Sequence, residues 1–72
     1  MKLHFDQDAD ALYLRLDDSS IVESEEVSPG LVLDYNGSNE VVSVEILNLS
    51  RRTTHFDPSR FVFETSAPPK AS

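Results

Sequence analysis

Hydrophobic and polar residues alternate with a period of two from residue 3 to residue 47, which is the spacing of half-buried β-strands. The clearest alternation covers residues 12–16, where three leucines would point to one face. Leu3 and Phe5 form a shorter alternation before it. The Asp-rich residues 6–10 between the two segments are typical of a turn, so the pattern predicts a hairpin.

Three further strands are predicted after this hairpin. Residues 21–27 have apolar ends that enclose three glutamates, and we interpret them as an exposed edge strand, where charge discourages unwanted pairing. A Pro-Gly turn at residues 29–30 leads into a strand over residues 31–35. An Asn-Gly hairpin turn at residues 36–39 then leads into a β-branched strand over residues 41–47. Five strands in sequence, joined by short turns, predict an antiparallel five-stranded meander.

The period of two ends after Leu47, and residues 49–64 fit either a helix or an extra strand. Asn48 or Ser50 is placed to cap a short helix, and Asp57 is placed to begin another. The apolar residues that would pack back on the sheet are Phe61, Val62 and Phe63. The predicted fold class is therefore mostly β to α+β, with a short C-terminal helix or extra strand.

The length of 72 residues predicts one compact domain over residues 1–65, followed by a flexible tail over residues 66–72. Without cysteine, the chain has no disulfide to support so small a core. Alternation places Leu33 and Val32 on opposite faces of their strand, so we expect both faces of the sheet to carry apolar side chains. The C-terminal phenylalanines can cover only one of them, which predicts a homodimer.

Thirteen acidic and six basic residues give the chain a formal net charge of −7. Such a surface repels phosphate backbones and anionic membranes, so we expect no nucleic-acid or membrane partner. A basic protein is the partner that this charge favours. No apolar run approaches the roughly 20 residues of a membrane span, and the first residues lack the apolar region of a secretory signal, so we expect a cytoplasmic protein.

The pattern closest to a chemical site is the spacing of Asp6, Asp8, Asp10 and Asp17, which matches ligand positions of a calcium-binding EF-hand loop. Ala11 stands where that loop needs glycine, and an aspartate stands where it needs a bidentate glutamate. The Asp-rich segment is therefore predicted to be a structural turn. A metal-dependent enzyme or cation-binding protein that uses residues 6–10 is the alternative.

No other arrangement of residues indicates catalysis. His4 and His55 are the only imidazoles, and neither has a second ligand at the spacing of a zinc helix. Serine nucleophile motifs and a glycine-rich phosphate loop are absent from the sequence. We therefore expect no catalytic, cofactor-binding or metal-binding residues and no enzymatic activity.

Three segments together resemble a known family, and they are residues 6–16 (DQDADALYLRL), 26–34 (EVSPGLVLD) and 44–51 (VEILNLSR). The resemblance is to the domain-of-unknown-function family 2283, a group of small bacterial proteins, and it covers residues 5–52. One departure is Val41-Val42-Ser43, where that family often has a glycine before the last strand.

What the resemblance implies is a compact α+β or mostly-β domain without assigned catalysis or site residues. Some members of the family are thought to be antitoxin-like partners of small basic ribonuclease-type toxins. The resemblance therefore suits an acidic, non-enzymatic protein-binding module that neutralises a small basic toxin.

Overall fold

A computed structural model describes residues 1–53 and 55–67 of the chain. The elements are β1 (Lys2–Asp6), β2 (Ala11–Arg15), β3 (Glu23–Ser28), β4 (Leu31–Tyr35), β5 (Val41–Ile46) and α1 (Leu49–Arg52). The strands form one antiparallel sheet, which confirms the predicted fold class and the short helix after the sheet. No helix in this part of the chain is long and apolar enough to cross a membrane.

The order of the strands in the sheet is β1-β2-β5-β4-β3, so the predicted meander is wrong. β2 pairs with β5 instead of β3, and residues 16–22 cross the end of the sheet to reach β3. This crossing is held by the amides of Leu16 and Asp17, which donate to the Val42 carbonyl over 2.8 and 3.3 Å. The arrangement leaves the acidic β3 at an edge, as its charge predicts, and places the apolar strands β2, β4 and β5 inside.

The register of the strands separates apolar from polar side chains. One face of the sheet, here called the apolar face, carries two cross-strand rows: Leu3, Leu14, Val44 and Leu33, and Phe5, Leu12, Ile46 and Leu31. The opposite face, here called the polar face, carries His4, Tyr13, Glu45 and Val32 in one row and Lys2, Arg15, Ser43 and Asp34 in the next. Val32 lies on the face opposite Leu33, as predicted, but the other side chains of these two rows are polar or aromatic, so the second face is less apolar than expected.

A β-bulge in β5 explains part of this difference. Asp34 pairs with Ser43 and Tyr35 pairs with Val41, so Val42 has no partner in the register between β4 and β5. The extra residue shifts the alternation of β5, so Val41, which simple alternation places on the face opposite Val44, instead pairs with Tyr35, which alternates with Leu31 and Leu33 on the apolar face. The side chain of Val42 is only 2% exposed.

The segment after the sheet packs on the apolar face through one aromatic contact. The ring of Phe56 meets that of Phe5 edge-on, with the ring centroids 5.1 Å apart. Asp57 does not begin a helix: its carboxylate accepts the amide and hydroxyl of Ser59 and its carbonyl accepts the Arg60 amide, which closes a single turn that does not continue. The prediction that residues 61–63 pack back on the sheet is wrong as well, since their side chains are 65–74% exposed.

The core that results is small. In the described part of the chain, the only fully buried apolar residues are Ala11 and Val42. Most of the apolar face is half-buried, and Leu3 at its rim is 39% exposed. The predicted C-terminal tail, residues 66–72, falls mostly outside the described residues. The sheet therefore leaves much of its apolar face open to solvent.

Candidate functional site

The aspartates of the first turn are used for local structure. The Asp6 carboxylate accepts the Ala9 amide over 3.1 Å and so closes the turn between β1 and β2. Asp10, at the end of the turn, has a positive φ of 54°. The Asp17 carboxylate accepts the amide and hydroxyl of Ser19, and these bonds lower its pKa. Asp6 and Asp10 thus belong to the first turn and Asp17 to another, and the described residues contain no group of three or more His, Cys, Asp or Glu able to hold a metal.

Asp10 has a second role that the sequence did not indicate. Its carboxylate accepts the Ser50 amide over 3.0 Å and the Ser50 hydroxyl over 2.7 Å, and its carbonyl accepts the Leu49 amide over 2.9 Å. Asn48, which was predicted as one of two caps, occupies the N-cap position without a side-chain bond. The first turn therefore caps α1 from 40 residues away.

The two histidines lie apart on the surface. His4 is exposed on β1 and its ring stacks with Tyr13, with the centroids 6.1 Å apart. His55 is exposed in the segment that follows α1.

β3 forms an acidic edge. All six of its residues are exposed, and no strand of the described chain pairs with its outer side. Glu23 and Glu25 pair with Tyr35 and Leu33 and so flank the apolar face, whereas Glu26 lies on the polar face opposite Val32. An added strand would therefore meet glutamates on both faces of the sheet.

The polar face contains an open depression of about 550 Å³. Its walls come from β1, β2, β4 and β5, together with Asp18 and Ile21 in the crossing segment. Asp34 lines it and is only 1% exposed. One carboxylate oxygen, Oδ1, accepts the Ser24 hydroxyl over 2.5 Å. The other, Oδ2, is buried and has no hydrogen-bond partner in the described part of the chain.

Glu45 lies next to Asp34 in this depression. Burial raises the pKa of Glu45 to about 7, and the charge of the neighbouring Asp34 adds to the increase. Two carboxyl groups this close do not ionise independently, because like charges repel. The repulsion is relieved when the two carboxyl groups share a proton, or when a positively charged group donates hydrogen bonds to them.

Sequence reasoning missed both members of this pair. Each is an acidic residue inside an otherwise apolar strand, with Asp34 after Leu33 and Glu45 between Val44 and Ile46. That placement was a usable signal, because an acidic residue in a central strand requires a partner. The Asn-Gly hairpin predicts that β4 pairs with β5, but the two acids lie on the same face only because of the extra residue Val42, which alternation does not predict.

Comparison with known proteins gives one match. A family model described as "Protein of unknown function (DUF2283)" matches residues 2–50. Searches of curated proteins and of solved structures found no match.

Proposed function

This chain belongs to the DUF2283 family of proteins of unknown function, and we propose from its surface that it is a non-enzymatic, acidic protein-binding module. The observation that carries the proposal is the exposed edge strand β3 with Glu23, Glu25 and Glu26. The partner is a small basic protein, and the role is antitoxin-like, in that binding masks the basic surface of a toxin.

The edge of β3 suits a partner that adds a strand to the sheet. An unpaired edge offers a row of backbone donors and acceptors, and strand addition uses them directly. Lysine or arginine side chains on the added strand would lie opposite the glutamates, and such cross-strand pairs stabilise a sheet. A second β3 would instead place glutamates against glutamates. The same charges thus favour a basic strand and reject another copy of this edge.

The net charge of −7 supports the same partner at longer range. Charge complementarity accelerates encounter and fixes orientation more than it increases affinity. An acidic module would therefore find a basic protein quickly.

We further propose that the apolar face is covered by a second copy of the chain. Strand spacing and rise give this face a flat area of about 400 Å², against about 800 Å² per partner in a standard interface. The exposed Phe61, Val62 and Phe63 can supply the remaining area. A symmetric face-to-face dimer buries the leucine rows of both copies at once and leaves β3 at the rim.

The alternative, an enzyme or cation-binding protein that uses residues 6–10, gains no support from the contacts of that segment. Asp6 closes a turn through Oδ1, and both carboxylate oxygens of Asp10 accept bonds from Ser50.

The test is a titration of ¹⁵N-labelled protein with a short peptide of alternating lysine and valine. The expected result is a saturable shift of the backbone amides of residues 23–28, which weakens at least tenfold when Glu23, Glu25 and Glu26 are changed to glutamine. The matched control changes Asp8→Asn, Glu40→Gln and Glu64→Gln, which removes the same charge elsewhere. Equal weakening in both variants, or equal binding of a glutamate-valine peptide, would refute binding at the edge.

A further inference from the structure

The buried carboxylate of Asp34 has one oxygen that lacks a hydrogen-bond donor among the described residues. Asp34 lines the depression of the polar face, and its buried Oδ2 atom receives no hydrogen bond from the described chain. A buried polar group left unpaired is destabilising, and more so if it is charged. Such a group in a depression of about 550 Å³ indicates a ligand that brings its own donor.

We propose that Asp34 and Glu45 form a binding site for a primary ammonium group. The site lies on the polar face, whereas the proposed protein partner adds to the outer edge of β3. The two proposals are therefore independent, and the failure of one does not affect the other.

The composition of the site favours ammonium over a metal ion. Metal ions such as calcium need six or more oxygen ligands, and the described part of the chain brings no three acidic or imidazole groups together. An ammonium group needs only two or three acceptors. The free Oδ2 of Asp34 and the carboxylate of Glu45 meet that requirement.

Asp34 is poorly suited to a guanidinium group. A guanidinium group binds best to both oxygens of one carboxylate. In Asp34 one oxygen is already taken by the Ser24 hydroxyl, so only a single acceptor is open. Ammonium donors diverge from one nitrogen and can reach two separate carboxylates, which matches the Asp34–Glu45 pair.

An aromatic ring completes the surroundings. Tyr13 lies directly opposite Glu45 in the register of β2 and β5 and lines the same depression. Its ring is stacked with His4, which limits its motion. The face of an aromatic ring attracts a cation, so Tyr13 adds to the attraction for ammonium.

The positive groups nearby do not fill the site. Arg15 is held away from the acidic pair, because its guanidinium donates to the carbonyls of Asp17 and Ser19 in the crossing segment. The other charged or titratable groups of the polar face are Lys2 and His4 on β1, Glu26 on β3 and Asp18 in the crossing segment. Acidic groups therefore occupy the β5-β4-β3 side and basic groups the β1-β2 side.

Binding should compete with protonation of Glu45. With the pKa of this carboxyl raised to about 7 by burial and by Asp34, it is about nine-tenths ionised at pH 8 and one-tenth at pH 6. An ammonium ligand requires the ionised form. Affinity should therefore fall about tenfold from pH 8 to pH 6.

The experiment titrates the protein with n-butylammonium chloride at both pH values and constant ionic strength, monitored by NMR shifts of residues 13, 34 and 45. The expected result is saturable binding with that tenfold pH difference. In Glu45→Gln, we expect at least tenfold weaker binding without the pH dependence. Glu64→Gln, which is outside the depression, should keep both. Tetramethylammonium, which has no N–H donor, should bind at least tenfold more weakly.

Nα-acetyl-lysine-N-methylamide serves as a second probe of the same group. Affinity similar to that of butylammonium supports a free amine, and affinity at least tenfold higher supports a lysine side chain of a partner. The proposal is overturned if neither probe saturates, if Glu45→Gln and Glu64→Gln bind equally, or if tetramethylammonium binds as well as butylammonium. The amide spectrum of each variant establishes that it is folded.

Discussion

Asp10 connects the two ends of the family-matched region, because it closes the first turn and caps α1 through Ser50. Changing Asp10 to alanine removes these bonds and places a poor residue at a positive φ. We expect a loss of about 1–3 kcal/mol in the free energy of unfolding. Asp10→Asn keeps a side chain that accepts a bond and tolerates this conformation, so it should cost less than half as much. Urea unfolding of both variants measures the difference, and equal losses would contradict the capping role.

Glu45 should make stability depend on pH. Its pKa is raised from an ordinary 4.5 to about 7 in the folded chain, so between these values the folded state binds more protons than the unfolded state. Stability therefore falls as the pH rises through this window. The full shift corresponds to about 3 kcal/mol, which partial exposure of Glu45 reduces to about 1 kcal/mol. We expect a higher melting temperature at pH 5.5 than at pH 8.

The control for this prediction is Glu45→Gln, which cannot titrate and should lose most of the difference. Asp17 and Asp57 act in the opposite sense, because hydrogen bonds from Ser19 and Ser59 lower their pKa values below the ordinary 3.8. The stability that these two aspartates contribute is lost only at a pH below 3.8, so it does not change between pH 5.5 and pH 8. An undiminished difference in Glu45→Gln would mean that the net charge of the chain, and not this carboxyl, causes the effect.

At the scale of elements, the turn between β3 and β4 is fixed by Gly30 and Arg52. Gly30 has a φ of 76°, and an added Cβ would lie 2.7 Å from the Arg52 guanidinium and 3.2 Å from the Leu47 carbonyl oxygen. Arg52 donates to the carbonyls of Pro29 and Leu47 and so ties α1 to this turn. We expect Gly30→Ala to cost about 2 kcal/mol, from backbone strain and displacement of Arg52.

Gly37→Ala is the matched control for that change. Gly37 has open space around its Cβ position and does not need a positive φ. The substitution should change the free energy of unfolding by less than about 0.5 kcal/mol. Thermal or urea unfolding compares the two variants, and equal effects would show that the contact with Arg52 is unimportant.

The alternation of residues predicts the five strands and their approximate bounds but not the order of the strands. An acidic edge strand and a meander cannot both be right, because the third strand of a five-stranded meander is central. The charge of β3 was the better indication of the strand order, because burying glutamates in a central strand costs more free energy than closing a longer connection from β2 to β3. The bulge at Val42 and the cap by Asp10 depend on contacts between distant segments. Local patterns carry no information about such contacts.

At the scale of the whole molecule, the half-buried apolar face predicts a dimer. Light scattering coupled to size exclusion should give a mass of about 16 kDa, twice the 8.1 kDa of one chain, at micromolar concentration. Leu33→Asn places a polar group on the apolar face and should give monomers. Val32→Asn, one residue away on the polar face, should remain dimeric.

The dimer would be contradicted by a mass of 8.1 kDa that persists across about a hundredfold range of concentration with an unchanged melting temperature. A dimer that survives Leu33→Asn but not Val32→Asn would place the interface on the polar face instead.

The most direct test of the protein-binding role is the salt dependence of association with the lysine-valine peptide, measured by stopped flow. The Debye length falls from about 10 Å at 0.1 M to about 3 Å at 1 M ionic strength, so an encounter guided by the acidic edge should slow at least tenfold. The variant with Glu23, Glu25 and Glu26 changed to glutamine should associate slowly at every salt concentration. A rate that is independent of salt and of these glutamates would contradict the account, as would tight, salt-sensitive binding to DNA or RNA in place of the peptide.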